Sequence, residues 1–175
     1  MRTLHLGCGR KKHPNTIGVD INPSSDADVL CDLDSFPYPF RSDAFDRVVC
    51  EHVLEHLENV VGVVEEIHRI CVDGAQVIVE VPHFSSVYYY SDPTHRHPFS
   101  TRSFDYFVTG TPVTEFSYST AEFQIVRVEF PPPPDSGWLK RAVFRVINRN
   151  IRTYEKRFAF ILPRHLLRFE LRVVK

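Results

Sequence analysis

The spacing of two glycines and one aspartate near the start of the chain constrains the fold most strongly. An apolar run over residues 3–7 leads into Gly7 and Gly9, and a second apolar run, 16–20, ends in Asp20. In an open parallel sheet, ligands bind beyond the carboxyl ends of the strands. Glycines let a ligand approach the backbone closely, and a carboxylate can accept hydrogen bonds from both hydroxyls of a ribose. These residues therefore predict a nucleoside-binding site.

The short connection between the two runs narrows the class of cofactor. Only residues 10–17, interrupted by Pro14, separate Gly9 from Gly18, whereas a crossover between parallel strands usually takes roughly a dozen residues. A dinucleotide site also needs a third glycine and a helix whose N-terminus faces the pyrophosphate. The spacing predicts a shortened first crossover helix and argues against NAD and FAD. S-Adenosylmethionine carries no phosphate and does not need that helix.

Further motifs follow in order along the first half of the chain. The sequence reads LHLGCG at 4–9, GVDINP at 18–23, DVLCDLDSFPYPF at 28–40, DAFDRVVCEHVLEHL at 43–57 and EVPHF at 80–84. In these motifs and their spacing the chain resembles the class I S-adenosylmethionine-dependent methyltransferases, in particular the small type 11-like branch. The resemblance implies S-adenosyl-L-methionine as the cofactor and methyl transfer as the reaction.

The resemblance also implies cofactor contacts at the ends of the first four strands. In chain order the residues are Gly7, Cys8, Gly9, Asp20, Ile21, Asp32, Leu33, Glu51 and His52. The glycines would line the methionine moiety, and the first aspartate would bind the ribose. The Asp-Leu pair would bracket the adenine, and the Glu-His pair would close the far side. One departure is His5, which stands where the family commonly has an acid.

Short apolar runs bounded by turn residues predict strands. Besides the first two, they lie at 28–31, 45–50, 75–81, 123–130 and 167–175. We therefore expect an α/β fold with a Rossmann-like, seven-stranded, mostly parallel sheet whose last strand is antiparallel, as in the family.

Two helices are expected between these strands. Apolar residues recur at helical spacing from Val60 to Ile70, and Asp73-Gly74 is expected to end that helix. Ser100 or Thr101 could cap a second, short helix, TRSFDYF.

Length and composition favour one domain over residues 1–175, with a cofactor-binding core at 1–130 and a basic extension at 131–175. With 43% apolar and 25% charged residues, the chain can form a single core. Since it has no run of 18 apolar residues and no signal-peptide pattern, we expect a cytoplasmic protein without a transmembrane segment. Four widely spaced cysteines suit reduced core thiols.

The charge of the chain is divided unevenly. Residues 137–175 carry eleven Lys and Arg against two Asp and Glu, whereas 1–136 carry ten against twenty. The basic part is also amphipathic, because one helical face can hold apolar residues with arginines opposite. The apolar set is Trp138, Leu139, Val143, Ile147 and Ile151, and the arginines are Arg141, Arg145, Arg149 and Arg152.

This basic segment has two interpretations. It is either a solvated cap helix or a surface for an anionic partner, such as a nucleotide sugar, a lipid-linked phosphate, an anionic membrane or, with least support, RNA. The tail could also form a homodimer face.

A histidine pair follows the fourth strand. His52, Glu55 and His56 spell HxxEH, which is the inverted zinc-protease pattern. No motif positions a third ligand, so we assign no metal here. His56 suits a structural position at a helix start, and His52 suits either that or the cofactor wall.

The loop after the fifth strand, SDPTHRHPF at 91–99, concentrates groups capable of proton transfer. Our candidate catalytic residues are His95, Asp92 and His97, with His83 upstream. The same loop suits a turn in which Asp92 bonds the backbone two residues on, or a bound metal. Tyr88–Tyr90 could line an aromatic pocket or simply pack the loop.

An Asn/Asp-Pro-Pro-Tyr segment, which similar enzymes use on amide or ring nitrogens, does not follow the fourth strand. We therefore expect methyl transfer to a small or glycan-like acceptor at oxygen. The alternatives are a non-catalytic S-adenosylmethionine-binding protein and, more distantly, a zinc-dependent hydrolase.

Overall fold

The computed structural model describes residues 1–111 and 119–175. Seven strands form one sheet in the order β3-β2-β1-β4-β5-β7-β6. The strands are β1 Thr3–Leu6, β2 Ile17–Asp20, β3 Val29–Leu30, β4 Phe45–Glu51, β5 Cys71–Pro82, β6 Glu122–Glu129 and β7 Leu166–Val174. The first five pair in parallel, and β7 lies antiparallel to both β5 and β6. The expected seven-stranded, mostly parallel sheet with an antiparallel last strand is confirmed.

The first crossover holds only turns between Leu6 and Ile17, which confirms that its helix is cut short. The central strands are buried because helices and loops cover both faces: all four residues of β1 are buried, as are Val48, Val49 and Cys50 of β4. This layering fixes the carboxyl ends of β1, β2, β4 and β5 along one edge.

In the described part of the chain, four α-helices accompany the sheet: α1 Val60–Ile70, α2 Val87–Ser91, α3 Trp138–Arg149 and α4 Ile151–Phe158. The side chain of Asn59 caps α1 by accepting from the backbone N–H of Gly62 at 2.9 Å. The expected stop at Asp73-Gly74 is wrong, because α1 ends at Ile70 and the chain enters β5 directly at Cys71. In the expected helix TRSFDYF, only Asp105–Phe107 are helical, as one turn of 3-10 helix.

The basic extension forms two helices, whereas the sequence predicted one amphipathic helix. It breaks at Asn150 into α3 and α4, so the expected apolar face is split. Phe144 and Tyr154 are buried, whereas Trp138 is 81% exposed. In the part of the chain that the structure describes, no helix is long and apolar enough to cross a membrane.

Candidate active site

The loop after β1 brings two glycines and an aspartate together. Gly7 and Gly9 have φ angles of 65° and 51°, which is the left-handed region that favours glycine. The Asp20 carboxylate accepts from the backbone N–H groups of Gly9 and Asn22, both at 2.8 Å. Since each carboxylate oxygen has two lone pairs, Asp20 retains acceptor capacity for hydroxyls.

Val53 closes this loop from the other side. A Cβ added to Gly7 would lie 2.5 Å from Cγ2 of Val53, so only glycine fits there. Val53 follows β4, and its contact therefore brings the turn after β4 against the loop after β1.

Asp32 and Leu33 lie in the turn after β3. Leu33 is buried, and its carbonyl accepts from the hydroxyl of Tyr38 at 2.8 Å. The exposed Asp32 carboxylate accepts from the backbone of Asp34 at 3.0 Å. Ile21 is 67% exposed beside them, which leaves apolar surface at the carboxyl end of β2.

His5 lies beneath the glycine loop and contacts His13, with ring centroids 4.5 Å apart. His13 Nε2 lies 3.0 Å from an oxygen of Glu51 at the end of β4. Burial, and then the neighbouring His13, lower the pKa of His5. His5, His13 and Glu51 are arranged so that they could hold a metal ion.

His52 occupies the sharp turn after β4 with a φ of 54°. Its Nδ1 lies 3.5 Å from Oε1 of Glu55, and its Nε2 lies 3.8 Å from Oε1 of Glu80. The Glu55 carboxylate raises the pKa of His52 against the opposing effect of burial.

Glu55 was not among the site residues that the sequence predicted, although it lies at the centre of this site. Its side chain is fully buried, and neither carboxylate oxygen has a hydrogen-bond partner among residues 1–111 and 119–175. Two imidazoles face this carboxylate, since His52 Nδ1 lies 3.5 Å and His95 Nε2 lies 3.9 Å from Oε1. Glu55, His56 and His95 form a second group that could hold a metal ion.

The DPTHRH loop packs directly on this turn. The backbone N–H of Arg96 donates to the carbonyl of Glu55 at 2.7 Å, and His97 Nε2 lies 3.2 Å from the carbonyl of Glu58. The structure thus joins the HxxEH segment and the loop after β5, which the sequence presented as separate groups.

Within the loop, His95 is held on both sides. Its Nδ1 lies 2.8 Å from the carbonyl of Tyr89, and its side chain is 8% exposed. The Asp92 carboxylate accepts from the N–H and hydroxyl of Thr94 at 2.8 and 2.6 Å, so the expected turn is present. Asp92 Oδ2 also lies 3.9 Å from Nε2 of His95.

The tyrosines of α2 do not share one environment. Tyr89 stacks on His95 with ring centroids 5.4 Å apart, whereas Tyr88 and Tyr90 are 63% and 69% exposed. Only Tyr89 therefore supports the histidine.

A further buried network lies at the end of β5. His83 Nε2 lies 3.0 Å from Oε1 of Glu155 in α4, and Glu155 also accepts from the N–H and hydroxyl of Thr101 at 2.6 and 2.7 Å. Sequence reasoning missed Glu155. The sequence does mark this residue as unusual, because residues 137–175 contain eleven Lys and Arg but only two acidic residues, of which Glu155 is one.

Comparisons with known proteins bear on the family and the fold of this chain. A family model described as a methyltransferase domain matches residues 4–79. No match was found among curated proteins.

Solved structures share the fold across nearly the whole chain. A SAM-dependent methyltransferase from Archaeoglobus fulgidus is 20% identical, with 98% of this chain and 85% of that chain covered and a TM-score of 0.60. A second, from Mesorhizobium loti, is 19% identical, with 98% and 90% covered and a TM-score of 0.56. Phosphoethanolamine N-methyltransferase 2 from Haemonchus contortus, in complex with S-adenosyl-L-methionine, is 14% identical, with 99% and 48% covered and a TM-score of 0.60.

Proposed function

We propose that this chain is a class I S-adenosylmethionine-dependent methyltransferase of the type 11-like branch and that it methylates an oxygen atom of its acceptor. The methyltransferase-domain match over residues 4–79 and the strand order of the sheet support this proposal. The acceptor that we propose is a small molecule, a glycan or a lipid-linked glycan. The observation that carries this proposal is the cluster of His52, Glu55 and His95 at the edge where β4 and β5 end. A sulfonium methyl is already activated, so the protein must position the nucleophile and, for a hydroxyl, take its proton.

We assign cofactor binding to the residues at the ends of β1 to β4. The glycine loop would receive the methionine moiety, and Asp20 would accept from the ribose hydroxyls with the lone pairs that its backbone bonds leave free. The exposed apolar side chain of Ile21 would cover the adenine, with Asp32 and Leu33 at its edge. Cys8, Glu51 and His52 would complete the wall around the cofactor.

His95 is our candidate for the group that takes the acceptor proton. Its Nδ1 faces the carbonyl of Tyr89; because a carbonyl only accepts, this bond assigns the ring proton to Nδ1 and leaves the lone pair on Nε2. That nitrogen points toward Glu55 and Asp92, whose carboxylates would stabilise the imidazolium after proton transfer. Asp92 and His97 would position the loop, through Thr94 and through the carbonyl of Glu58.

The charge distribution supports an anionic acceptor. Eleven cations against two acids in residues 137–175 favour a phosphate or carboxylate group near the site. Glu155 in this segment contacts His83 and Thr101, so the basic extension packs next to the loop at 91–99 that carries His95. A nucleic acid is not favoured, since the chain has no RNA-binding signature.

Two measurements test this proposal. Calorimetry should detect S-adenosylmethionine binding, and S-adenosylhomocysteine should form when a phosphate-bearing glycan or lipid-linked glycan is added. His95→Gln should lower kcat by roughly 100-fold or more while the cofactor Kd stays within about twofold. His68→Gln is the matched control, because His68 bonds the carbonyl of Val174 at the opposite end of the sheet.

Equal turnover by His95→Gln and the parent protein would remove His95 from the mechanism. His97, His83 and His52 would then be tested in that order. A chain that binds no S-adenosylmethionine would contradict the proposal as a whole.

A further inference from the structure

Helices α3 and α4 leave a large apolar surface uncovered. Eight side chains on these helices and in the turn after them are each at least 45% exposed: Trp138, Leu139, Val143, Val146, Phe158, Phe160, Ile161 and Leu162. We call this set the apolar face. Single exposed apolar side chains are ordinary on protein surfaces, whereas a cluster marks a binding surface.

The apolar face includes a groove between the two helices. Val143 and Val146 of α3 and Phe158 of α4 line it together with Leu162, and its volume is about 550 Å³. Val143 and Val146 lie one turn apart on the same side of α3, opposite the buried Phe144. The helices therefore bury one side in the protein and present a second apolar side to the surroundings.

The same two helices also carry cations that have no carboxylate partner in the described residues. Within residues 1–111 and 119–175, no carboxylate lies within 4.0 Å of five exposed side chains of the two helices: Lys140, Arg145, Arg149, Lys156 and Arg157. By contrast, Arg152 pairs with Asp105 at 2.8 Å, and Arg141 donates to backbone carbonyls of Pro134 and Ser136. The five unpaired cations are available to an external anion.

We propose that α3 and α4 dock on the surface of an anionic lipid bilayer. The apolar face would enter the boundary between headgroups and acyl chains, and the five cations would contact lipid phosphates. Charge complementarity selects this partner: a second copy of the chain would bring the same unpaired cations together, and like charges across an interface are unfavourable.

Helix α4 lies next to the end of β5, so docking of the helices would affect where this part of the sheet lies. Glu155 of α4 contacts His83 at the end of β5, and Thr101 follows the loop that carries His95. Docking would therefore bring the acceptor side of the sheet to the bilayer, where a lipid-linked glycan resides. This last step rests on the proposed function, whereas docking itself does not.

Tryptophan fluorescence provides a direct test. Trp138 is the only tryptophan of the chain and is 81% exposed at the start of α3. Vesicles of phosphatidylcholine containing phosphatidylglycerol should shift its emission to shorter wavelength, because the indole leaves water. Co-sedimentation should show binding at least about tenfold tighter than to pure phosphatidylcholine, and high salt should weaken it. The measurement uses no cofactor or acceptor, so its outcome is independent of methyl transfer.

Matched variants separate the contributions of charge and apolar surface. Arg145→Gln/Arg149→Gln should weaken vesicle binding by roughly 30-fold, the loss expected for two cation contacts with the bilayer. Arg41→Gln/Arg172→Gln removes the same charge from exposed positions at the opposite end of the sheet and should leave binding within about twofold. Val143→Ser/Val146→Ser, at exposed positions, should also weaken binding while the melting temperature is kept.

Several outcomes would overturn the proposal. One is equal binding to neutral and anionic vesicles. Another is an equal loss of vesicle affinity in Arg145→Gln/Arg149→Gln and in Arg41→Gln/Arg172→Gln. A third is an emission shift that depends on protein concentration without vesicles, together with a dimer in sedimentation velocity, which would assign the apolar face to self-association. Absence of vesicle binding by the folded parent protein would also refute it.

Discussion

The imidazole of His83 lies 3.0 Å from the carboxylate of Glu155, although 72 residues separate them in sequence. His83 is fully buried just after β5, and Glu155 is in α4. Since Glu155 also accepts from Thr101, one carboxylate connects the central sheet, the segment that follows the loop at 91–99 and the C-terminal helices.

Replacement of this carboxylate should cost stability. We expect Glu155→Gln to lower the free energy of unfolding by about 2–3 kcal/mol, because it removes a charge-assisted acceptor from three buried donors. Urea denaturation measures the change. Glu58→Gln is the control, since Glu58 is 67% exposed beside Arg96 and an exposed pair contributes about 0–1 kcal/mol. Similar losses in the two variants would contradict this role of Glu155.

Asp20 should dominate the polar recognition of the cofactor. Asp20→Asn is expected to weaken S-adenosylmethionine binding by about 1.5–3 kcal/mol, or at least tenfold, because the charged acceptor of the ribose hydroxyls is lost. Calorimetry gives the Kd, with Asp26→Asn as a control of equal charge change at an exposed position nearby. An unchanged Kd in folded Asp20→Asn would exclude the ribose assignment.

Gly7 should tolerate no side chain. Gly7→Ala combines a left-handed φ with a Cβ that would lie 2.5 Å from Val53, and should destabilise the fold by about 2–4 kcal/mol. Gly137→Ala is the matched control, because its φ is −64° and, apart from its chain neighbours, no atom of the described residues lies within 4 Å of the added Cβ. Thermal unfolding compares the two, and a Gly7→Ala variant as stable as Gly137→Ala would refute the constraint.

The Glu66 carboxylate should make the free energy of unfolding depend on pH. Its carboxylate accepts from Arg69 and from the backbone N–H of Tyr38, each at 2.7 Å, and the Arg69 guanidinium holds the pKa of Glu66 below its usual value. A lowered folded-state pKa adds stability above the unfolded-state pKa of about 4.3, and this stability is lost as the pH falls through the folded-state pKa.

We therefore expect Glu66→Gln to lower the free energy of unfolding at neutral pH by about 1–2 kcal/mol, which a lower melting temperature would show. The difference should shrink as the pH falls below about 4.3. A difference that is constant from neutral to acidic pH would show that the carboxylate charge is not responsible.

Metal should not be required for folding. In the group Glu55, His56 and His95, His56 Nδ1 already contacts the hydroxyl of Thr94, and His95 Nδ1 contacts a carbonyl. We expect less than about 0.2 zinc per chain and an unchanged melting temperature in the presence of a chelator. Stoichiometric zinc that is lost together with the fold would make these three residues ligands instead.

The cofactor side of the fold follows from local sequence signals. Strand β1, the glycines after it and Asp20 at the end of β2 are set by short-range patterning, because buried parallel strands are apolar and left-handed turns select glycine. The match between expected and observed positions is therefore within one residue from Thr3 to Asp20.

The site formed by the turn after β4 and the loop at 91–99 depends on contacts that no local sequence pattern contains. The backbone bond from Arg96 to Glu55 joins segments 41 residues apart, and the burial of Glu55 results from that packing. The break at Asn150 also has a tertiary cause, since the side chain of Asn148 bonds both backbone groups of Phe130 and ties α3 to the end of β6. The helical spacing of apolar residues in the sequence continues through Asn150, so it does not predict this break.

The order β5-β7-β6 has a consequence for biosynthesis. Strand β7 lies between two strands that precede it in the chain, and among the strands that the structure describes β6 pairs with β7 alone. While the ribosome is still translating β7, the edge of β5 is unpaired and β6 has nothing to pair with. An unpaired edge is a template for association with other chains. The nascent protein is therefore most vulnerable to aggregation just before Leu166–Val174 emerges from the exit tunnel.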